Sequence, residues 1–124
     1  MAENTADPAR TPAGEAAPTA VLTVLTTIDA REKADALARG AIAARLAACA
    51  QISGPVTSVY RWQGEVVSER EWQVLLKTTA VRFDALAAHL RAAHDYDTPE
   101  IIATPVSHGD PAYLAWVHDE TQPQ

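Results

Sequence analysis

Two β-rich stretches flank a glycine in the middle of the chain, and the second of them alternates between hydrophobic and polar residues over much of its length. Residues 58–62 form a first arm, Gln63-Gly64 a turn, and residues 65–79 a longer second arm. Because glycine tolerates the positive φ of a tight turn, this pattern predicts a β-hairpin. One face of the second arm would carry Val66, Ser68, Arg70, Trp72, Val74 and Leu76. The opposite face would carry Val67, Glu69, Glu71, Gln73, Leu75 and Lys77. A long unpaired ribbon invites association, so we expect it to form part of an oligomer interface.

A strand and an amphipathic helix are predicted before the hairpin. Residues 20–28 are a near-continuous apolar and β-branched run, which is typical of a central strand. Asp29 and Glu32 match a capping box, which predicts the start of a helix that continues to about Ala47. Gly40 inside this helix costs about 1 kcal/mol relative to Ala, which indicates a close approach to a neighbour. The predicted buried stripe is Ala34, Leu37, Ala38, Ala41, Ile42 and Leu46.

The strand that leads into the hairpin begins at Cys49, and residues 53–55 (Ser-Gly-Pro) interrupt it, which predicts a bulge. Thr79 is expected to cap a second helix after the hairpin. The buried stripe of that helix is predicted to be Phe83, Leu86, Ala87 and Leu90.

The last part of the chain predicts an edge strand and a short helix. Residues 100–106 form the strand, and Pro105 places it at an edge because proline cannot donate to a ladder. Asp110 and Pro111 are a typical helix start, and residues 121–124 are expected to fray. The final helix is predicted to direct four side chains toward the body: Tyr113, Leu114, Trp116 and Val117.

The element order is therefore β-α-β-β-α-β with a short C-terminal helix. This order predicts an α+β, ferredoxin-like sandwich over residues 20–120. Residues 1–19 are rich in Ala, Pro, Thr and Glu without apolar periodicity, so we expect a disordered tail. A sheet with both helices on one face leaves its other face bare, which favours a homo-oligomer.

Composition narrows the function classes. The net charge of −6 argues against nucleic-acid binding, which needs a basic face. No apolar run approaches the roughly 20 residues of a membrane span. Cys49 is the only cysteine, so no intrachain disulfide can form. The N-terminus lacks a basic start and an apolar core, so we expect no signal peptide.

Two residues are candidate metal ligands. His94 follows the second predicted helix and precedes Asp95 and Asp97, which makes a divalent-ion site there one interpretation. The alternative is a histidine favoured at a helix C-terminus by the helix dipole. Cys49 is the weaker candidate, since an isolated cysteine behaves as a small buried hydrophobe.

Charges inside strand-like runs suggest a second kind of site. Glu71, Lys77 and Glu100 either pair across an interface or line a cleft for a polar ligand, because a buried charge needs a partner. Most aromatic residues are explained as core or interface, and Trp62, beside the hairpin turn, is the one we expect to be displayed. No Ser-His-Asp arrangement, P-loop or dinucleotide fingerprint is present, so we predict no enzymatic activity.

Several separate motifs occur in order along the chain. They are Leu46-Ala47-Ala48-Cys49, Ser58-x-Tyr60-x-Trp62-x-Gly64, Glu71 with Lys77-Thr78, His94-x-Tyr96-x-x-Pro99-Glu100, and Gly109 with Tyr113 and Trp116. With these motifs the sequence resembles the CutA divalent-cation tolerance family over about residues 20–118.

The resemblance implies a homotrimer similar in architecture to the PII signal proteins, and a cytoplasmic role in tolerance of copper and other divalent metals. The copper ligands proposed in the family are a cysteine near the end of the first strand and a histidine pair after the second helix. Thr26 and Ala93-His94 occupy these positions here, while Cys49 matches the family's own Leu-Ala-Ala-Cys cysteine. One neutral imidazole gives little affinity, so we expect weak Cu(II) binding with His94 as ligand.

Three functional hypotheses follow. The leading one is a non-enzymatic, trimeric metal-response protein that binds Cu(II) or a similar divalent cation. The second is a PII-like module that holds a small polar metabolite in a cleft between subunits, lined by Tyr60, Trp62, Glu71, Lys77, Tyr96, Glu100 and Trp116. The third and weakest is an enzyme that uses Lys77, His94 and Glu100 as acid–base groups.

Overall fold

The computed structural model describes Ala17 and residues 19–123, so the predicted tail at residues 1–19 lies outside it apart from Ala17 and Thr19. The described chain is α+β. A 3₁₀ turn at Ala80–Arg82 links the hairpin to the second helix. The main elements are β1 (Val21–Ile28), α1 (Arg31–Ala43), β2 (Cys49–Trp62), β3 (Glu65–Thr79), α2 (Phe83–Ala93), β4 (Ile102–Pro105) and α3 (Pro111–Glu120).

The four strands form one antiparallel sheet in the order β2-β3-β1-β4. Val24 lies opposite Leu76, and both are fully buried against α1 and α2. The residues that alternate with Val24 along β1 and with Leu76 along β3 point to the other side of the sheet, because successive side chains of a strand point to opposite faces. We call that side the open face. Its cross-strand pairs on β1 and β3 include Thr23–Lys77, Leu25–Leu75 and Thr27–Gln73.

The hairpin and its bulge are as predicted. Gln63 and Gly64 form the turn with φ of 50° and 82°, which suits a two-residue hairpin whose twist matches the strands. The register of β2 against β3 shifts between Ser53 and Val56. Gly40 also behaves as expected, since a Cβ there would lie 3.1 Å from Nε2 of His89 on α2.

The predicted caps of α1 and α2 are wrong. Ala30 is the N-cap of α1, and the carboxylate of Asp29 instead bonds Lys33 Nζ at 3.1 Å. The hydroxyl of Thr79 makes no cap bond and is buried without a described partner. The chain leaves β3 through the 3₁₀ turn, so Thr79 remains part of the strand.

The first helix ends earlier than predicted because Arg45 adopts the left-handed conformation, with φ of 58°. Its N–H bonds the carbonyl of Ile42, and the N–H of Leu46 bonds that of Ala41. This pair of bonds is a Schellman motif, which closes a helix at Ala43 with an arginine where glycine is usual. Ile42 was predicted to be buried but is 38% exposed.

The predictions for the C-terminal helix are partly confirmed. Asp110 caps α3 by accepting the N–H of Tyr113 at 3.1 Å, and Val117 is fully buried. Tyr113 and Trp116 were predicted to face the body but are exposed, 42% each. Thr121 does not fray: it is buried, and its hydroxyl donates to the carbonyl of Val117.

Candidate functional site

His94 joins the loop after α2 to the end of β1. Its Nε2 lies 2.7 Å from the carbonyl oxygen of Thr27, and its Nδ1 accepts the backbone N–H of Tyr96 at 3.1 Å. Since Nδ1 accepts, the proton of the neutral ring is on Nε2, which donates to Thr27. Both ring nitrogens therefore have protein partners.

Tyr96 connects the same loop to the middle of β3. Its phenol donates to Oε2 of Glu71 at 2.8 Å, and its ring lies 4.6 Å from that of His94 between centroids. Glu71 is only 6% exposed. Burial, reinforced by the hydrogen bond to this carboxylate, raises the pKa of Tyr96 above its ordinary value.

A second tyrosine–carboxylate pair lies beside the first. Tyr60 on β2 donates its phenol to Glu69, two residues from Glu71 on the same face of β3. The hydrogen bond to Glu69 is the main cause that raises the pKa of Tyr60 to about 12. Glu71 contributes to the same shift, and Glu69 contributes to that of Tyr96, so the pairs share one electrostatic environment. We call Tyr60, Glu69, Glu71 and Tyr96 the Tyr–Glu cluster.

An ion-pair network flanks the His94 loop. Lys33 on α1 bonds Asp29 at 3.1 Å and also pairs with Asp95. Asp95 is the main cause that raises the pKa of Lys33, and Lys33 in turn lowers the pKa of Asp95. The carboxylate nearest His94 along the chain is thus already neutralised by a cation.

The described residues of one chain do not form a copper site. Within the described part of the chain, no three or more His, Cys, Asp or Glu side chains are grouped so that they could hold a metal ion. Cys49 on β2 lies opposite Lys77 on β3, and Lys77 lies opposite Thr23 on β1. Thr27, whose carbonyl contacts His94, is four residues further along β1. Thr23 and Thr27 are therefore roughly 13 Å apart, at about 3.3 Å per residue. Cys49 and His94 therefore cannot share an ion within one subunit, and their roles as ligands stay predictions.

The position that carries a cysteine in the resembled family faces the core. Thr26 is fully buried on the helix side of the sheet, and its hydroxyl has no hydrogen-bond partner among the described residues. A hydroxyl is a harder and weaker ligand for copper than a thiolate. This substitution removes the softest of the expected donors.

The predicted cleft residues are only partly brought together. Tyr60, Glu71 and Tyr96 belong to the Tyr–Glu cluster. Lys77, whose Nζ bonds Gln51 at 3.1 Å, is six residues along β3 from Glu71, or roughly 20 Å. Glu100 is exposed, two residues before β4.

The two predicted cleft tryptophans lie elsewhere. Trp62 is exposed at the ribbon tip opposite Glu65. Trp116 packs against Tyr113, with ring centroids 5.6 Å apart. The seven residues therefore do not form one cleft within a subunit, and a cleft between subunits remains a prediction.

Three groups that contribute to this region were not identified from the sequence. Glu69 alternates with Glu71 on one strand face, a spacing that could have identified it. Lys33 stands four residues after Asp29, which predicts a helical ion pair. The carbonyl of Thr27 gives no sequence signal, because every residue has one.

An open groove lies on the opposite side of the sheet from the Tyr–Glu cluster. It runs between α1 and β2 with a volume of about 530 Å³, and Ala38, Ile42 and Ile52 are among its lining residues. Asp35 and Arg39, which also line it, bond each other at 2.8 Å. The groove therefore presents a mostly aliphatic surface with a neutralised charge pair.

No helix among the described residues is both long and apolar enough to cross a membrane.

Comparison with known proteins gives consistent matches. The family model for the CutA1 divalent ion tolerance protein matches residues 22–120. The Divalent-cation tolerance protein CutA of Thermus thermophilus is 43% identical over 98 residues, covering 79% of this chain and 95% of the relative. The Escherichia coli protein of the same name is 42% identical over 100 residues, covering 81% and 89%.

Solved structures agree. The divalent cation tolerance protein (Cut A1) from Thermus thermophilus superposes with a TM-score of 0.81 at 41% identity, covering 82% of this chain and 99% of that one. The protein called periplasmic divalent cation tolerance protein CutA, from Archaeoglobus fulgidus, gives 0.80 at 27% identity, covering 82% and 99%.

Proposed function

This chain belongs to the CutA1 divalent ion tolerance family, and we propose that it acts in tolerance of divalent cations as a non-enzymatic, cytoplasmic homotrimer. The strand order β2-β3-β1-β4 supports a ferredoxin-like arrangement of the sheet. Both α1 and α2 pack on one side of it. The open face and the long ribbon are the surfaces that such an assembly would cover.

In this proposal the protein contacts ions weakly. The observation that carries the argument is that both nitrogens of His94 are engaged, by Thr27 and by the N–H of Tyr96. A cation that took the Nδ1 lone pair would break the Tyr96 bond, which contributes about 1 kcal/mol. Asp95 would also have to leave Lys33. Copper is the ion that an imidazole suits best, with Asp97 as an additional oxygen ligand.

Calorimetric titration of the metal-free protein with Cu(II) tests this weak contact. We expect no saturable binding near 1 μM, which corresponds to about −8 kcal/mol. The weak residual heats should be smaller in His94→Ala than in the wild type and unchanged in His108→Ala, where an exposed histidine is removed. Equal weak heats in all three proteins would contradict a contact at His94. Micromolar binding that is lost in His94→Ala and kept in His108→Ala would contradict weak contact and identify His94 as a tight ligand.

A second candidate function is a PII-like module that binds a small polar metabolite between subunits. The Tyr–Glu cluster favours it, because Glu71 is a largely buried carboxylate whose described donor, Tyr96, is neutral. Such a group suits a ligand that carries a positive charge. A rise in melting temperature with amines or amino acids, absent with divalent metals and lost in Glu71→Gln, would favour this function.

The compartment is the cytoplasm in this proposal. A lone cysteine without a possible intrachain partner suits a reducing environment. The relative called periplasmic in Archaeoglobus fulgidus makes the question testable. Fractionation of the native host should recover the protein with a cytoplasmic marker, and recovery with the periplasmic marker would contradict the assignment.

A further inference from the structure

The ammonium group of Lys33 on α1 binds two carboxylates that come from separate segments of the chain. Its Nζ lies 3.1 Å from Oδ1 of Asp29, which directly follows β1. The same Nζ pairs with Oδ2 of Asp95, in the loop after α2. The Lys33 side chain is 42% exposed and the two carboxylate side chains are 50% exposed. Two anionic groups therefore converge on one cation at a point that solvent and ions can reach.

This point lies in the surroundings of the candidate metal ligand. Lys33 is the main cause that lowers the pKa of Asp95, and His94 contributes to the same shift. Burial is the main cause that raises the pKa of Tyr96, and Asp29 is among the charges that contribute. The N–H of Tyr96 in turn donates to Nδ1 of His94. Both carboxylates bound by Lys33 are thus electrostatically coupled to the residues that surround this nitrogen.

Lys33 has the chemistry of a tethered competitor for a divalent ion. An ion at an exposed imidazole draws its further ligands from nearby carboxylate oxygens. Here the carboxylate next to His94 is already bound by a cation, and that cation is fixed to a helix. Asp95, followed by Asp29, raises the pKa of Lys33, so the ammonium stays charged at neutral pH. An incoming ion must therefore displace a positive charge.

We propose that Lys33 sets the weak affinity of this chain for divalent cations, because its ammonium occupies the carboxylates that an ion at His94 would share. The inference deepens the weak ion contact proposed above and rests on it. With Lys33 in place, Asp29, Asp95 and His94 are not grouped around one point among the described residues. Half-exposed carboxylates turn freely once they are released. Loss of the ammonium therefore leaves two oxygen ligands and one imidazole free to bind one ion.

Arg39 on the same helix provides a matched control. Its Nε bonds Oδ2 of Asp35 at 2.8 Å, and the two residues are four positions apart, as Asp29 and Lys33 are. The described ion pairs give Arg39 this one carboxylate. Removal of either cation changes the net charge of the chain equally. Only the removal of Lys33 releases a second carboxylate beside an imidazole, so a difference between the two variants isolates the local effect.

A titration with Zn(II), followed by nuclear magnetic resonance of the Tyr96 backbone amide, tests the proposal. Zn(II) is diamagnetic, and imidazole suits it as it suits copper. Lys33→Met, and Lys33→Gln as a second neutral variant, should lower the dissociation constant about tenfold, because even in water a positive charge within a few ångströms repels a divalent ion to that extent. Lys33→Arg and Arg39→Met should stay near the wild-type value. Lys33→Met/Asp95→Asn should lose the gain.

The outcomes separate this proposal from the ion contact on which it rests. Equal dissociation constants in Lys33→Met and Arg39→Met, or a gain that survives Asp95→Asn, would overturn the role of Lys33. The ion contact would still stand if Zn(II) shifts the Tyr96 amide in the wild type and not in His94→Ala. An amide that does not respond in the wild type or in Lys33→Met, or that responds equally without His94, would overturn both.

Discussion

The phenol of Tyr96 donates to Oε2 of Glu71 at 2.8 Å, and this bond ties the loop after α2 to the centre of β3. The two residues are 25 positions apart in sequence. Through His94, which contacts Thr27, the same loop is also fixed to β1. The loop that carries the candidate metal ligand is therefore held by bonds to two strands of the sheet.

Removing the hydroxyl of Tyr96 should destabilise the fold more than removing the hydroxyl of an exposed tyrosine. Tyr96→Phe leaves Glu71 largely buried without its described donor, and a hydrogen bond to a charged group contributes about 1.5–3 kcal/mol. We expect the free energy of unfolding to fall by that amount in urea titrations at fixed protein concentration. Tyr113→Phe, at an exposed tyrosine on α3, should change it by less than about 0.5 kcal/mol. Equal effects of the two variants would show that the Tyr96 bond contributes nothing.

The raised pKa of Tyr60 predicts a loss of stability in alkali. A phenol whose pKa is higher in the folded than in the unfolded state stabilises the fold below the unfolded pKa of about 10. That contribution is lost as pH rises from about 10 through the folded value, which is about 12. Tyr60→Phe has no proton to lose there, so its free energy of unfolding should decline less steeply than that of the wild type as pH rises from about 10 to about 12. Parallel declines would contradict the assigned hydrogen bond to Glu69.

Gly40 predicts a coupling between α1 and α2. Alanine favours a helix over glycine by about 1 kcal/mol, but a Cβ at position 40 would lie 3.1 Å from His89 Nε2. We expect Gly40→Ala to stabilise the His89→Ala background by about 0.5–1 kcal/mol, and the wild type by less. Thermal unfolding of the four proteins of this double-mutant cycle measures the difference. An identical gain in both backgrounds would mean that the two helices do not constrain position 40.

Much of the fold could be predicted because its signals are local. Strand alternation and the Gln63-Gly64 turn specify the register of the hairpin, which then determines the face of every residue on β3. Asp110 caps α3 through its own backbone neighbour three residues on. These features depend on chain geometry over a few residues, and the sequence contains that information directly.

The features that could not be predicted depend on tertiary contacts. Asp29 has the pattern of a cap, but the nearby cation of Lys33 takes its carboxylate. Arg45 ends α1 in a conformation that favours glycine, and its side chain bonds the carbonyls of Asp119 and Gln122, 74 and 77 residues away. The contact of His94 with a backbone carbonyl belongs to the same class. The partners of Arg45 and His94 are distant in sequence or carry no residue-type signal, whereas Lys33 is a local competitor four residues from Asp29.

The most direct test of the proposed function is the sedimentation of the purified chain after removal of all divalent metal by a chelator. The account predicts a single species at three times the subunit mass of 13.3 kDa, because strand pairing and apolar burial along the hairpin need no ion. The same species should persist when Cu(II) is added. A metal-free sample that sediments at the subunit mass and assembles only with Cu(II) would contradict the account and make the ion part of the interface.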